Sequence, residues 1–332
     1  LDVVAVSSLM NGSALAKAAQ LYQRIRTAVA SADVVHMVSF PPLFPLYWNL
    51  VRKKPVLLGP NISGPMLPRE FLVKEAQDAF KEELPYFWWR WHFGGGELME
   101  RLNIRLGGGA DRIISLSDYS ARIIAKRGIE RERVMVMPFA APLIAAGPEA
   151  ENALQDVKAP RIAYAGRLDN RKGFGLFLKT VARVNKDARF VVFGDGRMRP
   201  ELQAAAQKDR RIVWLGRKPR AELLSLLPFM NLYFQPSPHE AVATTVFEAL
   251  RAGVPVLSAD ISAHREVAEQ IGGVQLFPAG NANAASAALV KMLEQLSKLR
   301  SEANEASGRL EVKPTAEWLA AIYRELATHR NS

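Results

Sequence analysis

Cysteine is missing altogether from this chain of 332 residues. Disulfides and thiolate metal sites are thereby excluded, and a reducing compartment such as the cytoplasm is weakly favoured. No apolar run reaches the roughly 18 residues that a membrane-spanning helix needs. The start lacks the basic stretch and apolar core of a secretory signal. There is no repeat with a period of about 20–50 residues and no low-complexity tract. The P-loop pattern GxxxxGK(S/T) is absent, and neither candidate first turn carries a clear GxGxxG, which argues against a nicotinamide enzyme. The histidines contain no HExxH pair, so His92, His239, His264 and His329 receive no ligand role.

What is present suits a globular protein, with 49% hydrophobic and 23% charged residues. The length allows two domains, each with an ample core. The net charge of +11 is uneven: residues 1–157 carry +2 and the remainder +9. Such an excess can draw in a phosphorylated ligand or an anionic membrane surface, although most of it is solvated surface. Nucleic acid is not expected, because no recognisable binding motif accompanies the charge.

Taken in order, the chain opens on LDVVAVS, an apolar strand with no glycine loop before it. A doubly wound domain ordinarily begins with a strand and such a loop, so the first strand–helix unit is expected to be missing. Leu15, Ala18, Leu21, Ile25 and Val29 recur at helical spacing over 14–29. Strands are expected at Asp33–Val38, Pro55–Gly59, Asp111–Leu116 and Val134–Met137, with helices at 67–82 and 119–127 between them. Residues 143–159, rich in Ala, Glu, Gly and Pro, read as the linker. A second alternation follows, with strands at Arg161–Ala165, Arg189–Phe193, Ile212–Leu215, Leu232–Gln235 and Val254–Ser258. A long amphipathic segment at 283–298 and a terminal helix at 315–328 complete it. Alternating strands and helices imply α/β architecture with parallel sheets covered on both faces. The expected domains are 1–150, 158–312 and a terminal helix, 313–332, returning to the first domain.

Three stretches carry chemistry. IAYAG runs into RLDNRKG, so Gly166 lets the chain turn close to a ligand while Arg167 and Lys172 project cations from the carboxyl end of a strand. Ligands bind there in open α/β sheets, and two cations can neutralise a diphosphate leaving group; a solvated basic loop is the plain alternative. VVFGDG puts Gly194 at a strand-to-helix turn, where it either admits a nucleotide or merely makes the turn. PSPHEAVATTVFEALRAGVPV places Glu240 in a turn and Glu248 about one turn into a helix. The N–H groups of that helix start can hold an anion, and neighbouring carboxylates can hold sugar hydroxyls. A capping box, Thr245-x-x-Glu248, accounts for the second acid without any ligand.

AGRLDNRKG, VFGDG, WLG, PSPHE and FEALRAGVPV, in this order and spacing, resemble family 4 glycosyltransferases, which have the GT-B architecture of two Rossmann-like domains facing a cleft. The resemblance covers nearly all of residues 160–280 and is weaker in DVVH, ADRIISLSDYS and RVMVMPFAAP. It implies a retaining, metal-independent transferase that takes a hexose from a nucleoside-diphosphate sugar to a glycan or lipid-linked acceptor, with no cofactor. Arg167 and Lys172 match the pair that stabilises donor phosphates. Glu240 matches the residue holding hexose hydroxyls, and Glu248 the residue binding ribose. Gly166, Gly194 and Leu215 fall in the donor-binding stretches, and the amides near Ala243 and Thr244 would face the distal phosphate. His36 matches an acceptor-side histidine, although the strand favours a core or edge-strand histidine over a catalytic one.

The sequence departs from the family where Ala241-Val242-Ala243 replaces Gly-x-Gly and where Ser262-Ala263 replaces Gly-Gly. Val38 stands where many members have a second histidine. The aromatic run Tyr86–Phe93 could rest in a membrane interface, placing the protein peripherally at the inner face, or be buried core. A sugar-nucleotide epimerase or hydrolase and a non-catalytic sugar-nucleotide-binding subunit are the alternative functions.

Overall fold

A computed structural model describes residues 14–39, 44–61, 109–126, 128–143, 146–238, 240 and 244–328. The expected opening strand, the helix at 67–82, the aromatic run at 86–93 and Ala243 lie outside the described residues. The chain divides into two compact units, Leu1–Pro138 with Ala316–Ser332, and Phe139–Thr315.

In the first unit, α1 (Ala14–Ser31) leads into β1 (Val35–Ser39), and α2 (Phe44–Val51) into β2 (Val56–Asn61). Then come β3 (Arg112–Ser115), α3 (Asp118–Lys126) and β4 (Val134–Val136). The four strands form one parallel sheet in the order β1-β2-β3-β4. Side chains alternate across it as the strand pleat demands. Val56, Leu58 and Ile113 join a core with Val51 and Ile124, whereas Leu57 and Ile114 pack on Ile322 and Leu326. Those last two belong to the terminal helix α12 (Val312–Thr328).

The second unit begins with the short α4 (Pro148–Asn152) and β5 (Arg161–Ala165), followed by α5 (Phe174–Val181), β6 (Arg189–Phe193), α6 (Arg199–Lys208) and β7 (Ile212–Gly216). It continues through α7 (Arg220–Leu226), β8 (Leu232–Gln235), α8 (Thr244–Arg251), β9 (Val256–Ala259), α9 (Ser262–Gln270) and β10 (Val274–Phe277). Helices α10 (Ala282–Leu293) and α11 (Leu296–Gly308) complete it. All six strands are parallel, in the order β10-β9-β8-β5-β6-β7. Both faces are covered. Ala163, Val191, Tyr233 and Val256 point into one core, and Ile162, Phe190, Leu232 and Leu257 into the other. This doubly wound order reverses between β5 and β8, and the crevice at the carboxyl ends of those two strands is where such sheets bind ligands.

Three expectations are revised. Residues 143–159 are not a free linker, because Ala150, Leu154 and Val157 are buried in the core of the second unit. Their spacing is helical, but alanine is a weak apolar signal and Gly147 and Pro148 dilute it. The segment at 283–298 is broken at Glu294–Gln295 into two helices. The strand β10 was not anticipated; it lies at the sheet edge, between Gly272-Gly273 and Pro278, and exposes Gln275.

Candidate functional site

The turn after β5 is built by its own side chains. Asp169 is nearly buried and caps a single turn at Asn170–Lys172, accepting from the Lys172 amide at 2.9 Å. Its carboxylate also faces Arg167 at 3.3 Å and Arg171 at 3.9 Å. Tyr164, at the core of β5, donates its hydroxyl to the Arg167 carbonyl at 2.8 Å, with the Lys172 carbonyl at 3.3 Å. One hydroxyl therefore ties both ends of the cationic loop. Burial pushes the Tyr164 phenol well above its ordinary pKa, and the nearby acids Asp169 and Glu240 add to this.

Gly173 ends the loop in the left-handed region, φ +70°, where a Cβ would lie 2.2 Å from the Pro236 carbonyl. Only glycine lets the two backbones approach so closely, and the approach carries Lys172 to the turn after β8. There Lys172 Nζ lies 2.6 Å from Glu240 Oε1. Ser237 Oγ donates to the same oxygen at 2.8 Å and Gln235 Nε2 at 3.2 Å. Glu240 is 9% exposed, so a carboxylate with an ammonium and two neutral donors is held in the turn after β8. Charge-assisted bonds of this kind are the strong ones.

Glu248 lies on α8 and is buried. Arg220, the first residue of α7, approaches its Oε1 with Nε at 2.9 Å and Nη2 at 2.7 Å. Burial raises the Glu248 pKa, and the Arg220 guanidinium opposes that rise. α8 is described from Thr244, and the partner shown for Glu248 is Arg220. Tyr233 supports Glu240 through Gln235. Its hydroxyl donates to Gln235 Oε1 at 2.9 Å, with the Ala165 carbonyl at 3.1 Å, and Gln235 in turn reaches Glu240.

Arg167, Lys172 and Glu240 are thus joined through Tyr164 and Gln235 around the ends of β5 and β8, while Glu248 forms a separate pair with Arg220. Gly166 stands at the end of β5, bonded to the Phe193 carbonyl at 3.0 Å. Gly194 has φ +135°, and a Cβ there would fall 1.9 Å from the Gly166 carbonyl, so the turn itself accounts for this glycine. Leu215 is partly buried on β7, two strands away, and packs on the core. Thr244 is exposed at the start of α8.

His36 sits in the first unit with both ring nitrogens engaged, Nε2 at 2.7 Å from the Gly59 carbonyl and Nδ1 at 2.6 Å from the Tyr323 hydroxyl. A carbonyl only accepts, so Nε2 carries the hydrogen and Tyr323 donates to Nδ1. This arrangement holds the terminal helix to the sheet. Burial lowers the His36 pKa, against a smaller opposing effect of the Gly59 bond.

Sequence reasoning missed Asp169, Gly173, Tyr164, Tyr233, Gln235 and Arg220. Asp169 and Gly173 were within reach: an aspartate and a glycine flanking a short turn are an N-cap and a left-handed stop. The others act across strands, and nothing local marks them.

Comparison with known proteins now adds to the geometry. Residues 159–295 match the family model described as Glycosyl transferases group 1. Over these residues the second unit is similar to group 1 glycosyltransferases. The 2-deoxystreptamine glucosyltransferase of Streptomyces kanamyceticus is 29% identical to this chain over 173 residues, 48% of this chain and 44% of that protein. The match therefore spans less than half the relative's length. The crystal structure of Anabaena HepE with UDP and glucose superposes with a TM-score of 0.71 at 16% identity, covering 94% of this chain and 83% of that one. The sucrose-phosphate synthase of Thermosynechococcus elongatus gives 0.71 at 17% identity, covering 94% and 78%. These likenesses fix the architecture as α/β with two Rossmann-like domains, the GT-B fold.

Proposed function

We propose that this chain transfers a hexose from a nucleoside-diphosphate sugar to a glycan or lipid-linked acceptor, with retention of anomeric configuration and without a metal. The observation that carries the reading is the Lys172–Glu240 pair at the switch point of the second sheet, with Nζ 2.6 Å from Oε1. A carboxylate there can accept from hexose hydroxyls. The ammonium beside it, with Arg167 on the same loop, can meet the negative charge that develops on a departing diphosphate. Glu248 would accept from the ribose. Attack on the face from which the diphosphate leaves, with a phosphate oxygen taking the acceptor proton, requires no protein base. The UDP and glucose named for HepE belong to that protein; for this chain they make UDP-glucose a reasonable first donor to try.

The acceptor side would lie on the first unit, with His36 there as a structural tie. The excess charge of residues 158–332 favours a peripheral position at an anionic membrane face, tested by co-sedimentation with anionic vesicles at low and high salt.

The test is a thermal-shift screen of the full chain against UDP-, GDP- and ADP-sugars, followed by product analysis with and without acceptors. A true donor at a hundredfold excess over Kd should stabilise by about 2.7 kcal/mol. An anomerically retained glycoside formed only with acceptor present supports the reading, and persistence of turnover in EDTA supports the absence of a metal. A change in the sugar nucleotide without acceptor would instead mean an epimerase or hydrolase. Binding without turnover across the acceptor panel would mean a non-catalytic subunit.

A further inference from the structure

Arg220 is the least expected member of the site. Its side chain is 66% exposed, yet it reaches a carboxylate on another helix that is only 5% exposed. Its Nε and Nη2 do not divide between the two oxygens of Glu248, as a fork usually does. Both meet Oε1, at 2.9 and 2.7 Å. Oε1 is thereby the oxygen engaged by the guanidinium. Among the described residues, Oε2 has no side-chain or backbone partner. A guanidinium anchored to one oxygen fixes the plane of the carboxylate and leaves the other oxygen with both lone pairs to offer, which is what two adjacent hydroxyls require.

We infer that Arg220 is a positioning residue of the donor site, pinning Oε1 of Glu248 so that Oε2 accepts from the vicinal hydroxyls of a nucleotide ribose. The inference rests on the donor-site reading above. Among the described residues, the titratable groups that face Glu248 are Arg220 from α7 and Tyr233 from β8. Burial keeps Tyr233 neutral by raising its pKa, so Arg220 is the group that opposes protonation of Glu248. Without it, burial alone acts on the carboxyl. A protonated Glu248 offers one fewer acceptor position to a diol.

The experiment uses the full chain and its R220Q, R220K, E248Q and R220Q/E248Q variants. Calorimetry measures the Kd of UDP, GDP or ADP, whichever binds best, and of its 2′-deoxy form between pH 5.5 and 8.5. In parallel, carbon NMR follows the Glu248 carboxyl in unliganded protein. R220Q is expected to weaken the ribonucleotide about tenfold near pH 6 and less near pH 8, and to weaken the 2′-deoxy form, which keeps one of the two hydroxyls, by a smaller factor. R220K should recover part of the loss, and R220Q should add nothing on the E248Q background. The Glu248 carboxyl of R220Q should titrate at higher pH than in the wild type. Equal losses for both nucleotides, tighter binding by R220Q, or an unmoved carboxyl titration would each overturn the inference. If the wild type binds none of the three diphosphates, the donor-site reading falls, and the carboxyl titration still decides whether Arg220 governs the charge of Glu248.

Discussion

Glu240 takes three donors on one oxygen and lies in the turn after β8, outside the strands and helices that build the core. Its loss should therefore cost more in chemistry than in folding. Glu240→Ala and Lys172→Ala are expected to lower kcat/KM by two to three orders of magnitude, the scale for a preorganised electrostatic contact, while Tm moves by only a few degrees. Steady-state kinetics and calorimetry of the same preparations check this; wild-type turnover in either variant would remove the site assignment. A second prediction concerns His264, which is 1% exposed with Nδ1 2.9 Å from the Ala259 carbonyl. Among the described residues its Nε2 has no partner. Burial lowers its pKa, as it does for His36. A depressed histidine binds fewer protons folded than unfolded, so the stability it confers is present above the unfolded value of about 6.5 and is lost as pH falls towards the folded value. Urea unfolding of the second unit should lose up to about 1.4 kcal/mol per pH unit in that acidic window, and His264→Gln should flatten the slope.

The loop between β5 and α5 shows what single residues do to an element. Gly173 cannot be replaced without displacing Pro236, since a Cβ would lie 2.2 Å from that carbonyl. Gly173→Ala should lower the Tm of the second unit by several degrees and weaken donor binding at least tenfold, because a left-handed alanine costs about 1–2 kcal/mol even without the clash. Thermal unfolding and donor titration would show it; an unchanged donor Kd would mean that the approach of the loop to β8 does not set the site. In the first unit, Tyr323→Phe removes the hydroxyl that His36 accepts. Faster amide exchange over residues 316–328 is expected, with a loss of about 0.5–1.5 kcal/mol. At this scale the sequence was readable where a pattern is local. Arg161–Ala165, Arg189–Phe193 and Leu232–Gln235 are apolar runs buried on both faces, and their observed limits are those the sequence predicts. β10 was unreadable because an edge strand shows neither strict alternation nor a fully apolar run. Residues 143–159 misled because alanines buried against a core look the same in sequence as alanines in a linker.

Across the whole molecule, charge and topology act together. The excess of +9 lies in residues 158–332, which also hold the site whose proposed ligand is a diphosphate. Raising salt from about 0.05 to 0.5 M shortens the Debye length from roughly 14 to 4 Å, so donor KM should rise several-fold with little change in kcat; a KM indifferent to salt would mean that only the site's own ion pairs matter. The sequence by itself determined the class of the fold, the places of most strands along the chain, and the positions from which Arg167, Lys172, Glu240 and Glu248 are offered, because apolar period and turn chemistry are local properties of the chain. Tertiary structure alone decided that β5 and β8 lie side by side and that Lys172 turns to Glu240. It also decided that Glu248 is held by Arg220. Those outcomes depend on strand order and on close backbone approach between segments 28 to 68 residues apart, distances over which no sequence period carries information.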